Sequence, residues 1–532
     1  MNKLPPPIVL ADYDITKVNN DKELCDKLRD PLFRICNLYK IRDADGKDVQ
    51  FTPNGPQRIV LHAIYVLGWN RLLIPKARQL GFSTLFAIIC LDETLFSDGK
   101  QASIVDQTQS DASEKLNKVR FAWERLPNKI REDAVVNNGK EIAWANGSRV
   151  CGGMNARGGT NQVLHISEWG PIAFEDPARS QEIATGAIPS ASGTNAKIFC
   201  ESTHMGGKGG DWYDMIKQAL ETPEEFRTSK DFRVMFFPWW MEKRYRIKGD
   251  IKMIGSDTMK YFEQLKDKHG IVLDDEQKMF YFKESQRLKR NMLREFPSVI
   301  EECWAAPTPG MIYAQEIDKA RSQGRINPNV LYIDSYPVYT AFDIGAPENQ
   351  KVWLFQVIGD KIKLLEALSG GDECKMPAHW AKLLKKKDYN YGGHFLPHDG
   401  ELLWRQQLQE AGLSGVVCVP RQGSVWDGVN DVIEGLARCE INSILCENGL
   451  NALEAYHSKL ERDGNSVRDV PVHDWASHFC DALSIAFQAM RRGMLIDRSG
   501  IKPMGFSQGN YRSRIGVTTE RPKAFSRISV RR

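Results

Sequence analysis

The sequence predicts an α/β protein whose 532 residues form two or three domains. Three observations predict it. "RLLIPKARQ" followed by "FSTLFAIICLDETLF" reads as a short buried strand, a glycine turn and an apolar helix. Two later apolar stretches, "NQVLHISEWG" and "KIFCESTHMGGKGGDWYD", read as strands that run into small polar or acidic residues. After "REFPSVIEECWAAPTPG" the composition shifts to consecutive strands with turns at "APENQ" and "GDK".

The bulk composition is that of an ordinary globular chain, with 42% hydrophobic and 26% charged residues. The net charge of +4 is unevenly spread. From Asp497 onward nine Lys or Arg stand against two acids, so the tail is basic and the remainder slightly acidic. Such a tail is expected to be loosely held, and either contacts a partner or only aids solubility. Eleven cysteines occur without a C-x-x-C pair, which argues against a zinc ribbon or a disulfide framework and suits a reducing compartment. The first thirty residues lack an apolar signal core, and no apolar run approaches the roughly 20 residues of a membrane span.

The first strand–turn–helix has the geometry that binds phosphate, because free N–H groups at a helix start point at an anion. Laid on G-x-x-x-x-G-K-[S/T], it places Lys76 at the first glycine, Gly81 at the second, Phe82 at the lysine and Ser83 at the hydroxyl. Ser83 is placed to ligate Mg²⁺. Lys76 or Arg78 can fold back over the β/γ-phosphates from the front of the loop. Upstream, Gln57 carries an amide with the paired donor and acceptor that an adenine edge requires, or is a plain helix residue. Glu168, at a strand end, suits a carboxylate that orients water, or a strand-end ion pair. Ser202 and Thr203 suit a sensor of the γ-phosphate, or an ordinary hydroxyl turn. Arg157, in "NARGGTN", reads as a finger offered to a neighbouring subunit or as a solvated loop arginine.

In the second half, Asp343 interrupts an apolar strand, where a carboxylate is costly unless paired or metal-bound. Asp399 ends another short strand. On "PVHDWASHFCDALSIAFQAM", read as a helix, Asp474, His478 and Asp481 share one face, although Asp474 serves equally as a helix cap. Asp343, Asp399 and Asp481 suit a two-metal phosphodiesterase site built on Mg²⁺.

Taken in order, "PKARQLGFST", "HISEWG", "CESTHMGGKGG", "FFPWW", "REFPSVIEE", "FDIG", "LPHDG" and "SHFCDAL" resemble the large terminase subunit of tailed bacteriophages over roughly residues 50–490. The resemblance implies an N-terminal ASCE-type P-loop ATPase domain, RecA-like, over residues 1–325, with a helical lid at about 240–325. It implies an RNase H-like nuclease domain over 326–495 and a basic tail over 496–532. It assigns Lys76, Arg78, Gly81, Ser83 and Thr84 to ATP and Mg²⁺, Gln57 to adenine and Glu168 to catalysis. Ser202 and Thr203 become the coupling motif and Arg157 a trans-acting finger. Asp343, Asp399 and Asp481 become ligands of Mg²⁺ or Mn²⁺.

The partners it implies are double-stranded viral DNA, the portal protein, a small terminase subunit and further copies in a ring, commonly of five. The place of action is the host cytoplasm, docked transiently on the procapsid and absent from the mature virion. The sequence departs from the family pattern at Phe82, at Ser167 where Asp is usual, and in lacking a second acid soon after Asp343, a role open to Glu348 or Glu366. A helicase fused to a nuclease is the rival reading, but no second RecA-like motor domain is visible. A nonenzymatic capsid-associated DNA-binding protein is the other, and Glu168 with the three aspartates argues against it.

Overall fold

The computed structural model describes residues 4–495 apart from 157–158, 306–309, 372–373, 401–402, 421–422 and 461–466. The chain divides into two compact α/β units. The first comprises Met1–Lys319 with Asn448–Cys480, and the second Ala320–Glu447 with the chain from Asp481 on. The return of 448–480 to the first unit has a local cause. Ser458 N donates to Gly310 O at 2.9 Å, and the His457 ring stacks on Phe174 with centroids 3.9 Å apart.

The first unit is built on an eight-stranded mixed sheet. Its strands are β1 (Arg71–Pro75), β2 (Gln101–Val105), β3 (Ala134–Asn137), β4 (Glu141–Trp144), β5 (Arg149–Gly153), β6 (Val163–Ser167), β7 (Lys197–Ser202) and β8 (Arg233–Val234). The order is β8-β1-β7-β6-β2-β5-β4-β3, with β8 through β5 parallel and the last two pairings antiparallel. Every residue of β6, and all but the first of β1 and β7, is buried. Near-continuous apolar runs are what a parallel sheet covered on both faces requires. Strand β7 lies between β1 and β6, although it follows β6 in the chain.

Helix α1 (Gly55–Tyr65) starts with a capping box between Asn54 and Gln57. Helix α2 (Phe82–Leu95) is buried along nearly its whole length, which explains why its sequence is apolar on all sides. Helix α3 (Gln109–Glu124) is capped by Thr108, whose side chain accepts from Asp111 N. Helices α4 (Ser256–His269) and α5 (Asp275–Leu288) bury Phe262, Leu265, Met279 and Phe280 in the same core cluster as α2.

The second unit holds a seven-stranded mixed sheet. Its strands are β9 (Ile326–Asn327), β10 (Val338–Asp343), β11 (Lys351–Ile358), β12 (Lys361–Ser369), β13 (Tyr391–Pro397), β14 (Val416–Val419) and β15 (Cys439–Asn442), in the order β9-β15-β12-β11-β10-β13-β14. Strands β10, β11 and β12 form an antiparallel meander, while β13 and then β14 continue parallel to β10. Register pairs Ala341 with Phe395, so the C-terminal ends of β10 and β13 lie side by side.

Helix α2 is anchored by a buried ion pair with a hydroxyl attached. Arg34 donates to both Asp92 oxygens at 2.9 and 2.6 Å, and Tyr39 Oη donates to Asp92 Oδ1 at 2.6 Å. Removing one partner strands a buried charge, so Arg34→Ala is expected to destabilise the first unit by about 3–5 kcal/mol. Urea unfolding followed by intrinsic fluorescence measures this, and an exposed-site control such as Lys22→Ala should stay within about 0.5 kcal/mol.

Candidate functional site

The turn between β1 and α2 is tied down from outside. Lys76, Ala77 and Arg78 use their N–H groups on Ser202 O, Phe237 O and Glu295 O at 3.1, 2.9 and 3.0 Å. The next four carbonyls are each held by a side chain. Tyr245 Oη donates to Arg78 O (2.5 Å), an Arg244 Nη to Gln79 O (2.8 Å), Asn54 Nδ2 to Leu80 O (3.0 Å) and Gln57 Nε2 to Gly81 O (2.8 Å). Among the described residues, the N–H groups of Gln79, Leu80 and Gly81 have no protein acceptor. Two of these residues have left-handed backbone, Gln79 at φ 53° and Gly81 at φ 80°. A side chain at Gly81 would meet Gln57 Nε2 at 2.8 Å, so the close approach also requires glycine. Free amides followed by a helix start form an anion cradle.

The C-terminal ends of three parallel strands bring charge to this cradle. Lys76, directly after β1, is 7% exposed. Its Nζ lies 3.4 Å from Glu168 Oε1 and 3.1 Å from Glu201 Oε2. Burial works to lower the ammonium's pKa, but the two carboxylates outweigh it and hold it above the ordinary lysine value. Burial likewise works to raise Glu201, which Lys76 and His165 reverse, leaving it well below the usual carboxylate range. Ser167 Oγ donates to Glu201 Oε1 at 2.9 Å. Glu168 sits in left-handed backbone at φ 54°, which is strained for a side-chain-bearing residue and aims it off the end of β6. Thr203 Oγ1 donates to Glu168 Oε2 at 3.3 Å, and Ser202 Oγ accepts from Gly170 N at 2.8 Å.

Helix α3 adds two lysines. Lys115 pairs with the buried Asp106 at the end of β2, and Lys118 Nζ donates to Ser83 Oγ at 3.2 Å. Arg179 steadies the Asp106 turn by donating to the carbonyls of Asp106, Gln107 and Met154.

Of the residues that the sequence singles out, Lys76, Glu168, Ser202 and Thr203 come together beside the cradle that Gly81 closes. Ser83 and Thr84 lie half-buried in the first turn of α2. Gln57 has a different task from adenine reading: it is 4% exposed, with Oε1 on Asn54 N and Nε2 on Gly81 O, so its amide shapes the loop. Arg78 is directed elsewhere too, its Nε 2.8 Å from Glu295 and its own N–H bound to Glu295 O. Arg157 and the basic tail lie outside the described residues. Sequence reading missed Glu201, Lys115, Lys118, Asp106, Arg244 and Tyr245. Glu201 left one signal, an acid inside the apolar run "KIFCES".

In the second unit, Asp343 ends β10 and Asp481 lies on α7 (Ser477–Arg491), which follows α6 (Val425–Leu436). Both aspartates line one cleft of about 240 Å³, together with Pro397, His398 and Ser484. Asp399 follows, itself exposed, in the single turn His398–Gly400 at the adjacent strand end. Helices α6 and α7 approach closely at Gly428 and Gly435, where a Cβ would meet Ser484 Oγ at 2.4 Å and the Phe487 ring at 2.3 Å. An Arg491–Asp431 ion pair of 2.8 Å reinforces the contact that directs Asp481 to the cleft.

Among the described residues, no three His, Cys, Asp or Glu side chains are placed as a ready-made metal cage. The donor chemistry fits a hard cation all the same, since Asp343 and Asp481 bring carboxylate oxygens to a common cleft. Asp474 does not lie on α7, which begins three residues later. It accepts from Ala476 N at 3.0 Å as a turn cap, within the first unit. His478, on the first turn of α7, falls in the same unit and packs edge-on against His473. Glu366 is unsuited to assist Asp343: its oxygens are held by Lys387 and Tyr389, and register places it on the opposite face of the sheet. Glu348 is exposed on the turn after β10.

No family model and no curated protein matches the chain. Solved structures similar to it include three terminases. The large terminase of bacteriophage HK97 aligns with a TM-score of 0.46 at 11% identity, over 87% of this chain and 99% of that one. The large terminase of a thermophilic bacteriophage, in complex with ATP-γ-S, aligns with a TM-score of 0.32 at 13% identity, over 82% and 98%. The large terminase nuclease domain of bacteriophage SPP1, with bound Mn, aligns with a TM-score of 0.25 at 16% identity, over 29% and 85%.

Immediately after Thr203, the His204 ring is buried and its pKa is pushed down to about 4, by burial in spite of its bond to Gly207 O. The unfolded chain binds this proton near pH 6.5, whereas the folded chain binds it only near 4. The contribution is therefore fully present above pH 6.5 and is lost as pH falls toward 4. Thermal midpoints at pH 7, 6 and 5 should fall in that order, and His204→Phe should flatten the decline.

Proposed function

We propose that the chain is an ATP-hydrolysing motor that moves double-stranded DNA into a viral procapsid and also cuts it. One observation carries the reading. Residues singled out in three separate sequence stretches, Lys76 with Gly81, Glu168 and Thr203, lie together at one end of a parallel sheet, beside backbone amides without a protein acceptor. The ends of parallel strands are where α/β sheets bind ligands.

In this reading the loop amides and Lys76 hold the triphosphate, with Ser83 beside the accompanying Mg²⁺. Glu168 is the base that orients water, its carboxylate meanwhile held by Lys76 and Thr203. Thr203 touches Glu168 and is followed by the buried His204, so loss of the terminal phosphate has a path from Glu168 into the glycine-rich turn. Arg157 is the finger for a neighbouring copy. In the second unit Asp343, Asp399 and Asp481 would hold the divalent ions of a nuclease, whose chemistry when bound would be activation of water and stabilisation of the leaving oxygen. The portal protein, a small terminase subunit and a ring of five copies on the procapsid, in the host cytoplasm, complete the reading and rest on the ordered motif set. DNA binding through Lys and Arg should weaken steeply with salt.

The two activities should separate by mutation. Glu168→Gln is expected to lower ATP hydrolysis at least about a hundredfold while plasmid cleavage with Mg²⁺ or Mn²⁺ persists. Asp343→Ala should abolish cleavage and leave hydrolysis intact. Phosphate release and plasmid nicking, assayed on the same preparations, decide it. Cleavage that survives Asp343→Ala sinks the nuclease assignment, and hydrolysis that survives Glu168→Gln sinks the motor assignment.

A further inference from the structure

The geometry points to Lys118 as a second cation, besides Lys76, that meets the terminal phosphates of the nucleotide. The inference rests on the reading of this site as an ATPase.

The usual position for a loop lysine is closed. Phe82 is 1% exposed and packs on Phe237 with ring centroids 4.9 Å apart, so it belongs to the core. The neighbouring cations are already matched. Lys76 is shared by Glu168 and Glu201, Arg78 is paired with Glu295, and Lys115 is paired with Asp106. Around the cradle, three lysines therefore face three carboxylates, and only two of the lysines are engaged with them.

Lys118 is the third. Its ammonium rests on Ser83 Oγ at 3.2 Å, and no carboxylate among the described residues lies within 4.0 Å of it. Ser83 is the hydroxyl of the first turn of α2, directly beyond the free loop amides, which is where β- and γ-phosphates would lie. Helix α3 makes the placement firm. Lys115 and Lys118 are three residues apart on one face, and Ala112, Leu116 and Val119 bury the other against the core. Lys118 is solvent-exposed and has no direct carboxylate partner among the described residues, so its ammonium is open to an anion at the cradle.

The test uses the full-length chain with fluorescent MANT-ATP and Mg²⁺. Lys118→Met keeps the length of the side chain and removes the charge. It is expected to weaken binding about ten- to a hundredfold, the value of a charge-assisted hydrogen bond. Lys118→Arg should recover most of the affinity, and nucleotide-free thermal midpoints of both variants should match the wild type. Wild-type affinity in Lys118→Met overturns the inference and leaves the ATPase reading standing. Equal loss in both variants with a lowered thermal midpoint also overturns it, in favour of a purely structural lysine. If the wild-type chain itself fails to bind MANT-ATP, the ATPase reading fails first, and the two failures are distinct.

Discussion

Lys76 stands at the end of β1 with its ammonium between Glu201, at 3.1 Å, and Glu168, at 3.4 Å. A charge this deeply buried is costly unless partners surround it. That constraint reaches across the first unit. The two acids come from β7 and from the turn after β6, so the ends of β1, β7 and β6 must be adjacent and in register. The sheet provides this by placing β7 between the other two and pairing Pro75 with Ser202 and Ser167 with Glu201. The same ammonium restrains the carboxylate that would otherwise face water, and Thr203 restrains its other oxygen.

The loop beside Lys76 owes its shape to distant segments. Asn54 and Gln57 come from the start of α1, and Arg244 and Tyr245 precede α4. Together they hold four consecutive carbonyls, so the intervening amides face away from the protein's own acceptors. Single hydrogen bonds link the loop to the start of α1 and to the segment that carries Arg244 and Tyr245. The cradle is thus a product of backbone orientation, and its lysine position is free to be apolar, as Phe82 is.

Much of the architecture was legible in the sequence. Buried parallel strands read as apolar runs, and a polar residue ending such a run marks the edge where function collects. That rule singled out Glu168, Ser202 and Thr203, which meet at one sheet end, and Asp343, which lines a cleft of the second unit. It failed for Gln57 and Arg78, whose side chains looked available because their partners, Gly81 O and Glu295, come from other segments of the chain. It also passed over Glu201, a buried acid one residue short of a strand end, and Lys118, which looks like one more charge on the exposed face of a helix. The helix carrying Asp481 was legible as a helix, but its start was not, because Asp474 caps a turn ahead of it.

By itself the sequence determined the α/β class, the strand–turn–helix that forms the cradle, and the order of motifs along the chain. These follow from local periodicity and from residues such as Gly81 that the backbone requires. Only the tertiary structure decided which charges meet. Ion pairs and carbonyl clamps depend on strand order and on the packing of α1, α3, α4 and α5, and these are set by the burial of apolar faces over long sequence separations. The assignment of each lysine to its carboxylate, and the exception of Lys118, are therefore properties of the folded sheet that no stretch of sequence carries alone.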